Sequence, residues 1–243
     1  MKRFYIAFVM CFFLAGCNDE ESWDCLKSMG DDVSEIRYPG NFNRVYLTDK
    51  IDLDYRYSDS CFVEVHFGEN IVHHITTHVD GNSLYIDNTA TCNWVRTQKK
   101  IPLVVIYAPT LAYLENTSSA TITMRDTLIS NDFMYEQRGT NGYANLVVNT
   151  DSVRVYAHTG FTSINVAGRS TYSGLYNATV GKFDASRLNS DITIVNNSSL
   201  QDLKCVANSY LFGEINLSGN ILYSGDPDAV DISINGSGRV LPH

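Results

Sequence analysis

Asn145–Asn177 reads NLVVNTDSVRVYAHTGFTSINVAGRSTYSGLYN. Aliphatic residues come as pairs one residue apart, Leu146/Val148, Val153/Val155 and Ile164/Val166, and Leu175 follows alone. Asn, Ser, Thr and Gly fill the gaps. Alternation with period two sends each pair to one side of an extended chain, so the stretch reads as successive short strands. The pattern extends in both directions. Ile122/Met124, Leu146/Val148, Ile164/Val166, Ile192/Ile194, Ile215/Leu217 and Ile232/Ile234 form one inward series, with uneven steps between successive pairs. Phe133/Tyr135, Val153/Val155, Leu175, Leu203/Cys205 and Ile221/Tyr223 form a second. Self-similarity at a period of about 20 residues, with one or two strands per unit, is the mark of a β-solenoid. Each coil buries a stripe of side chains and bonds its backbone to the coils on either side. The fold class is all-β: a β-solenoid, parallel β-helix-like, with irregular coils of about 20 residues. A β-sandwich, whose turns also come about every 8–12 residues, is the alternative.

Upstream the chain is equally strand-rich. Phe42 to Tyr57 alternates through Val45, Leu47, Ile51, Leu53, Tyr55 and Tyr57 around a Thr48-Asp49-Lys50 turn. CFVEVHF (61–67) and DGNSLYID (80–87) follow, and IPLVVIYAP (101–109) is apolar enough for a strand buried on both faces. Residues 38–109 supply N-terminal strands or a cap and 110–243 the repeat coils, one domain over 38–243.

The first residues give the chain an address. Lys2 and Arg3 precede an uncharged apolar run, Phe4 to Gly16. That is short of the roughly 20 residues needed to span a bilayer, and it fits an export signal. Leu14-Ala15-Gly16-Cys17 resembles the lipobox of bacterial lipoproteins, which implies a signal peptide over 1–16 and lipidation of Cys17. Residues 17–37 then read as an acidic tether, because Asn18 to Arg37 carries many acids and no strand alternation. Removal of the signal takes away Lys2 and Arg3 and leaves acids well in excess of bases; so negative a surface is repelled by nucleic acid. The expected location is the cell envelope: an outer-membrane lipoprotein, held to the membrane by its N-terminal lipid and exposed at the cell surface. Cys25, Cys61, Cys92 and Cys205 would remain outside the cytoplasm, where three pairings are open to them; Cys61 with Cys92 is preferred, since both lie in the N-terminal strands.

RYPGNFNRVYLTDKIDLDYRY (37–57), HHITTHVDGNSLYIDN (73–88) and TCNWVRTQKKIPLVVIYAP (91–109) precede glycine turns at Ser218-Gly219-Asn220-Ile221 and Gly236-Ser237-Gly238. In that order, and together with the lipobox, they resemble the Bacteroidetes lipoprotein family that bears the auto-transporter adhesin head, or GIN, domain, a family of unknown function. The resemblance covers roughly residues 36–241. It implies a β-helix-like fold, a cell-envelope location and a role in cell adhesion, and no reaction. Thr117-Ser118-Ser119-Ala120 departs from it, standing where the family tends to have a glycine-serine-glycine turn.

Motifs for chemistry are sparse. His74 and His78 are spaced for zinc on a helix, but on a strand they stand about 13 Å apart. Asp226, Asp228 and Asp231 match no calcium-loop spacing. Glycoside hydrolysis needs two carboxyls roughly 5–10 Å apart. The turn acids, Glu115, Asp126, Asp132, Glu136, Asp151, Asp184, Asp191, Asp202 and Glu214, align into no pair at the coil period. No cofactor or metal is expected, and the chain reads as a non-enzyme. Tyrosines are the better functional clue. Tyr135, Tyr143, Tyr156, Tyr172 and Tyr176 lie in the repeat half, and along one wall they would form a shelf for sugar rings or a protein partner. The expected function is a non-catalytic ligand-binding module for glycan or protein. A structural role in envelope assembly and a carbohydrate-active enzyme are the alternatives.

Overall fold

The computed structural model describes residues 28–90, 100–139 and 141–243. They form strands joined by turns, with one 3-10 turn at Val72–His74 and no α-helix among the described residues. The centre is three long strands, β11 (Asn141–Ala157), β12 (Phe161–Asn177) and β13 (Phe183–Asn197), preceded by β10 (Leu128–Gln137). Each lies parallel on the next. The register between β11 and β12 is constant along their length: Leu146 faces Val166 and Val155 faces Leu175. The stretch from Asn145 to Asn177 is thus almost one full coil laid on another. At either end the long strands give way to short pairs, β8 (Tyr113–Asn116) and β9 (Ala120–Met124) before, β14 (Leu203–Val206) to β18 (Val240–Pro242) after. Every pairing from β8 onward is parallel, and the whole is a β-solenoid of about six turns. Two antiparallel layers, the sandwich alternative, are not what these residues form.

Vertical columns of side chains make the core. Leu53, Ile122, Ala144, Ile164, Phe183, Leu203 and Ile221 follow one another in register, all buried. Each aliphatic or phenyl group removed from water there contributes about 1.5–3 kcal/mol, offset by the ordering of the chain. Three members of the expected inward series lie outside the core instead: Leu217, exposed in the turn after Ile215, and the pair Ile192 and Ile194. Ile192 and Ile194 share strand β13 with Thr193 and Val195, and the ladder to β12 sets Thr193 against Ser173 and Val195 against Leu175, both inward. With period two, their isoleucine neighbours must point to the outer wall, where Ile194 is exposed.

Corners turn on buried amides. The Asn116 side-chain oxygen accepts from the Ser118 amide (2.9 Å) and hydroxyl (3.1 Å), and its nitrogen donates to Gln137 (3.1 Å) one coil later. The glycine-free Thr117–Ala120 turn is held this way, with no positive φ at any of its four residues. Asn177 repeats the device, accepting from the Thr179 amide (3.2 Å) and donating to Asn197 (3.1 Å). A different corner needs Gly168: its φ is +116°, and a Cβ there would lie 1.9 Å from the Val148 carbonyl oxygen of the coil below.

The N-terminal strands belong to the same stack. β2 (Arg44–Leu47) lies parallel between β6 (Ser83–Asn88) and β8, and β3 (Asp52–Tyr57) parallel between β7 (Leu103–Ala108) and β9. Only the outermost layer is antiparallel: β4 (Phe62–Gly68) on β7, β5 (Ile75–Asp80) on β6, and β1 (Asp32–Arg37) on β4. The segment read as a tether over 17–37 is therefore a strand over Asp32–Arg37. Its ladder to β4 and the Arg37 guanidinium, which donates to the Ile75 and Val72 carbonyls, hold it in place. Apolar alternation is absent because the strand is an exposed edge with little to bury. His73 and His74 are also not on a strand; they sit in the 3-10 turn, while His78 on β5 stacks on Tyr85, ring centroids 5.1 Å apart.

Candidate functional site

Outward positions stack into columns just as inward ones do. One runs Glu115, Glu136, Tyr156, Tyr176, Asn196, Glu214 across successive coils, and its neighbour runs Tyr113, Met134, Arg154, Gly174, Ile194, Phe212. Gly174 leaves a gap in the second column. A Cβ there would meet side chains rather than backbone, the Arg154 Cγ at 3.3 Å and the Tyr156 hydroxyl at 3.8 Å, so the glycine is compatible with a larger residue and its effect is to open space. The result is a hollow of about 420 Å³ floored by Gly174 and walled by Tyr156, Tyr176, His158, Ile194 and Asn196.

The rings around it are fixed edge to face. Tyr156 and Tyr176 lie 6.1 Å apart at 77°, and His158 stands 5.4 Å from Tyr176. Asn196 is tied down by the Ser198 hydroxyl (2.7 Å) and by Glu214, to which it donates. Tyr172 projects from the same side of β12 two residues before Gly174, and Tyr210 and Phe212, stacked 5.8 Å apart, continue the wall beside Ile192 and Ile194. The surface is amphipathic and rigid, with apolar ring faces bordered by amide and imidazole groups.

An ionic cluster closes the N-terminal side of the hollow. Glu136 accepts from Tyr113 (2.5 Å), Arg138 (3.0 Å) and His158 (3.2 Å), while the Tyr113 hydroxyl also lies 2.6 Å from Glu115. Burial pushes the Glu136 carboxyl up, but the bonds from Tyr113, Arg138 and His158 outweigh it and hold the group below its ordinary value. Burial and the two carboxylates drive the Tyr113 phenol far above its ordinary value. Glu115 and Glu136 are also the carboxylate pair that the linear sequence does not align: they are direct register partners on β8 and β10. The pair anchors Arg138, which reaches both carboxylates, and His158, which bonds Glu136.

Of the tyrosines singled out from the sequence, the structure brings Tyr156, Tyr172 and Tyr176 to one wall. Tyr143 is exposed on the first half of β11, in a different column, facing Thr121 and Ser163 in register. Tyr135 is a core residue, 0 % exposed, with its hydroxyl donating to Gln137 (2.5 Å), and cannot meet a ligand. Its partner in the inward series, Phe133, already marks it as inward. Sequence reasoning missed Gly174, Ile194, His158 and Phe212. The first two escape because nothing local says which coil positions face each other. Cys61 is half-buried with its thiol against the Phe42 carbonyl; its expected partner Cys92, the expected lipidation site Cys17 and the expected signal segment lie outside the described residues.

A family model described as "Putative auto-transporter adhesin, head GIN domain" matches residues 41–227. No curated protein matches the sequence. Among solved structures, a putative adhesin from Bacteroides fragilis superposes with a TM-score of 0.80 at 17% identity, covering 88% of this chain and 97% of that one. A putative adhesin from Parabacteroides distasonis gives 0.66 at 19%, covering 88% and 98%. A putative lipid binding protein from the same species gives 0.64 at 18%, covering 87% and 97%. At such identity the likeness speaks for the fold alone.

Proposed function

We propose, since this chain belongs to the auto-transporter adhesin head (GIN domain) family, that it is a non-catalytic adhesive module of the cell envelope whose ligand surface is the wall around Gly174. Its ligand class is glycan. The observation that carries the reading is the hollow itself: two tyrosine rings and an imidazole, locked by one another, around a floor where a glycine keeps the outer column open. Aromatic faces with polar rims suit a pyranose ring, which presents C–H groups on one face and hydroxyls at its edge. Because the residues sit on a solenoid wall, their ordering cost is met in folding rather than in binding.

Glycan-array screening of the purified chain, with Tyr156→Ala/Tyr176→Ala as control, tests this. The expected result is binding to a subset of sugars that falls at least about 30-fold in the double variant, roughly the loss of two ring contacts. Absence of binding to any sugar, or binding indifferent to both tyrosines, refutes it.

The same reading places the domain outside the cell on a lipid at Cys17, with residues 1–16 removed. The lipobox-like Leu14–Cys17 supports this. Cys17→Ser is expected to release the protein from the membrane fraction, and protease added to intact cells to digest the wild type. Protection from protease confines the domain to the periplasm and removes the adhesive role.

A further inference from the structure

The two ends of the solenoid are finished differently. At the N-terminal end the antiparallel strands β1, β4 and β5 cover the stack, and the outer strands present charge: Asp32, Glu35 and Arg37 on β1, His78 and Asp80 on β5. Polar and charged residues of this kind blunt an edge against pairing. At the other end, β17 (Ala229–Ile234) bonds only to β15 (Tyr210–Ile215) and β18 only to β16 (Ile221–Ser224), among the described residues. Their far edges offer backbone donors and acceptors to solvent. The inward positions of this last coil are nevertheless apolar. Val230 and Ile234 continue the columns of Leu211 and Ile215, which are fully buried one coil earlier, yet are themselves 42% and 54% exposed. Ile232 lies between them on the same face, and the only charge on β17 is Asp231.

We propose that this coil is a self-association surface, in which β17 of one copy pairs antiparallel with β17 of a second copy about a two-fold axis at Ile232. The inference does not depend on the ligand reading. A second copy fits by register. Opposed residues in an antiparallel pair point to the same face, so an axis between two residues would set inward aliphatics against outward polar groups. An axis at Asp231 would put two carboxylates face to face, which is destabilising. An axis at Ile232 sets Val230 against Ile234 of the second copy, Ile232 against itself, and Asp231 against Ser233. All three aliphatics of each copy then stay on one side, covered, with no like charges opposed. The footprint is one coil, about 20 Å along β17. That is smaller than the roughly 800 Å² per partner of a standard interface, so association is weak, with a dissociation constant in the micromolar range or above.

Single cysteines at Ile232 and Asp231, placed in the full chain and oxidised under equal conditions, report the register. Ile232→Cys is expected to yield a 232–232 cross-link, identified by peptide mass spectrometry, since opposed Cα atoms about 4.5–5.5 Å apart can be bridged. Asp231→Cys, displaced along the pair from its own image, is expected to yield at least about 10-fold less. Wild-type sedimentation should show a dimer fraction rising with concentration, and Ile232→Lys should remove it with circular dichroism unchanged. Should Ile232→Lys unfold, the cross-linking arm decides. A wild type that stays monomeric without a 232–232 cross-link, or equal cross-linking of both cysteine variants, overturns the proposal.

Discussion

Asn177→Ala isolates what the buried corner ladder contributes. Alanine is sterically acceptable there, because Ala157 occupies the same column position in the coil below. The loss is therefore polar. Asn177 accepts from the Thr179 amide and donates to the Asn197 side-chain oxygen, and all three residues are buried. The Thr179 hydroxyl, which also bonds Asn177, can turn to the Thr162 carbonyl 3.4 Å away, so it is not stranded. Two groups remain without partners, each costing about 1–3 kcal/mol, for a destabilisation of about 2–6 kcal/mol. In a domain of this size that lowers the melting temperature by roughly 5–20 °C. Urea denaturation followed by circular dichroism, with the slope checked for constancy, measures it. A loss under about 1 kcal/mol would mean that water reaches the corner, and would refute the picture of a dry amide ladder.

Three further outcomes follow from single sites. Asp184 accepts from the Ser186 amide and hydroxyl and pairs with Lys182. Despite burial, these hold its carboxyl down at about 2. A depressed folded-state value stabilises above the unfolded value near 4, and that stability is lost as pH falls toward 2. Asp184→Asn should thus cost about 2 kcal/mol at pH 7, a cost mostly gone at pH 2 and absent below it, read by pH-dependent denaturation. Cys205 is buried and its thiol pushed up to about 12, so a thiol reagent at pH 8 should label it only on unfolding, as followed by mass spectrometry. Gly168→Ala forces a Cβ toward the Val148 carbonyl at a positive φ and should cost at least about 3 kcal/mol, whereas Gly174→Ala should cost under about 1 kcal/mol by thermal melt.

Much of the molecule was legible in one dimension. Aliphatic pairs that recur once per coil can bury their stripe only by stacking coil on coil, and that dictated a solenoid. Asn and Ser/Thr at the turns announced corners, because a short amide can replace the backbone bonds lost in bending. Period two also sends Tyr156 and Tyr176 outward and Tyr135, in phase with Phe133, inward, so the place given to Tyr135 on the tyrosine shelf ran against its own alternation.

What depends on how far each coil advances was hidden. The advance is not constant: the step that carries Glu115 onto Glu136 is longer than the one that carries Ile194 onto Phe212, and turn lengths set it. Only the folded stack brings Glu115 to Glu136, leaves Gly174 opposite Ile194 as the floor of a hollow, and turns Ile192 and Ile194 outward. The ends likewise required coordinates. β1 has no apolar stripe to betray it, and the bare edge of β17 carries the same alternation as any covered strand. Local pattern records which way a side chain points; what lies across from it is a property of the ladder, and of where the ladder stops.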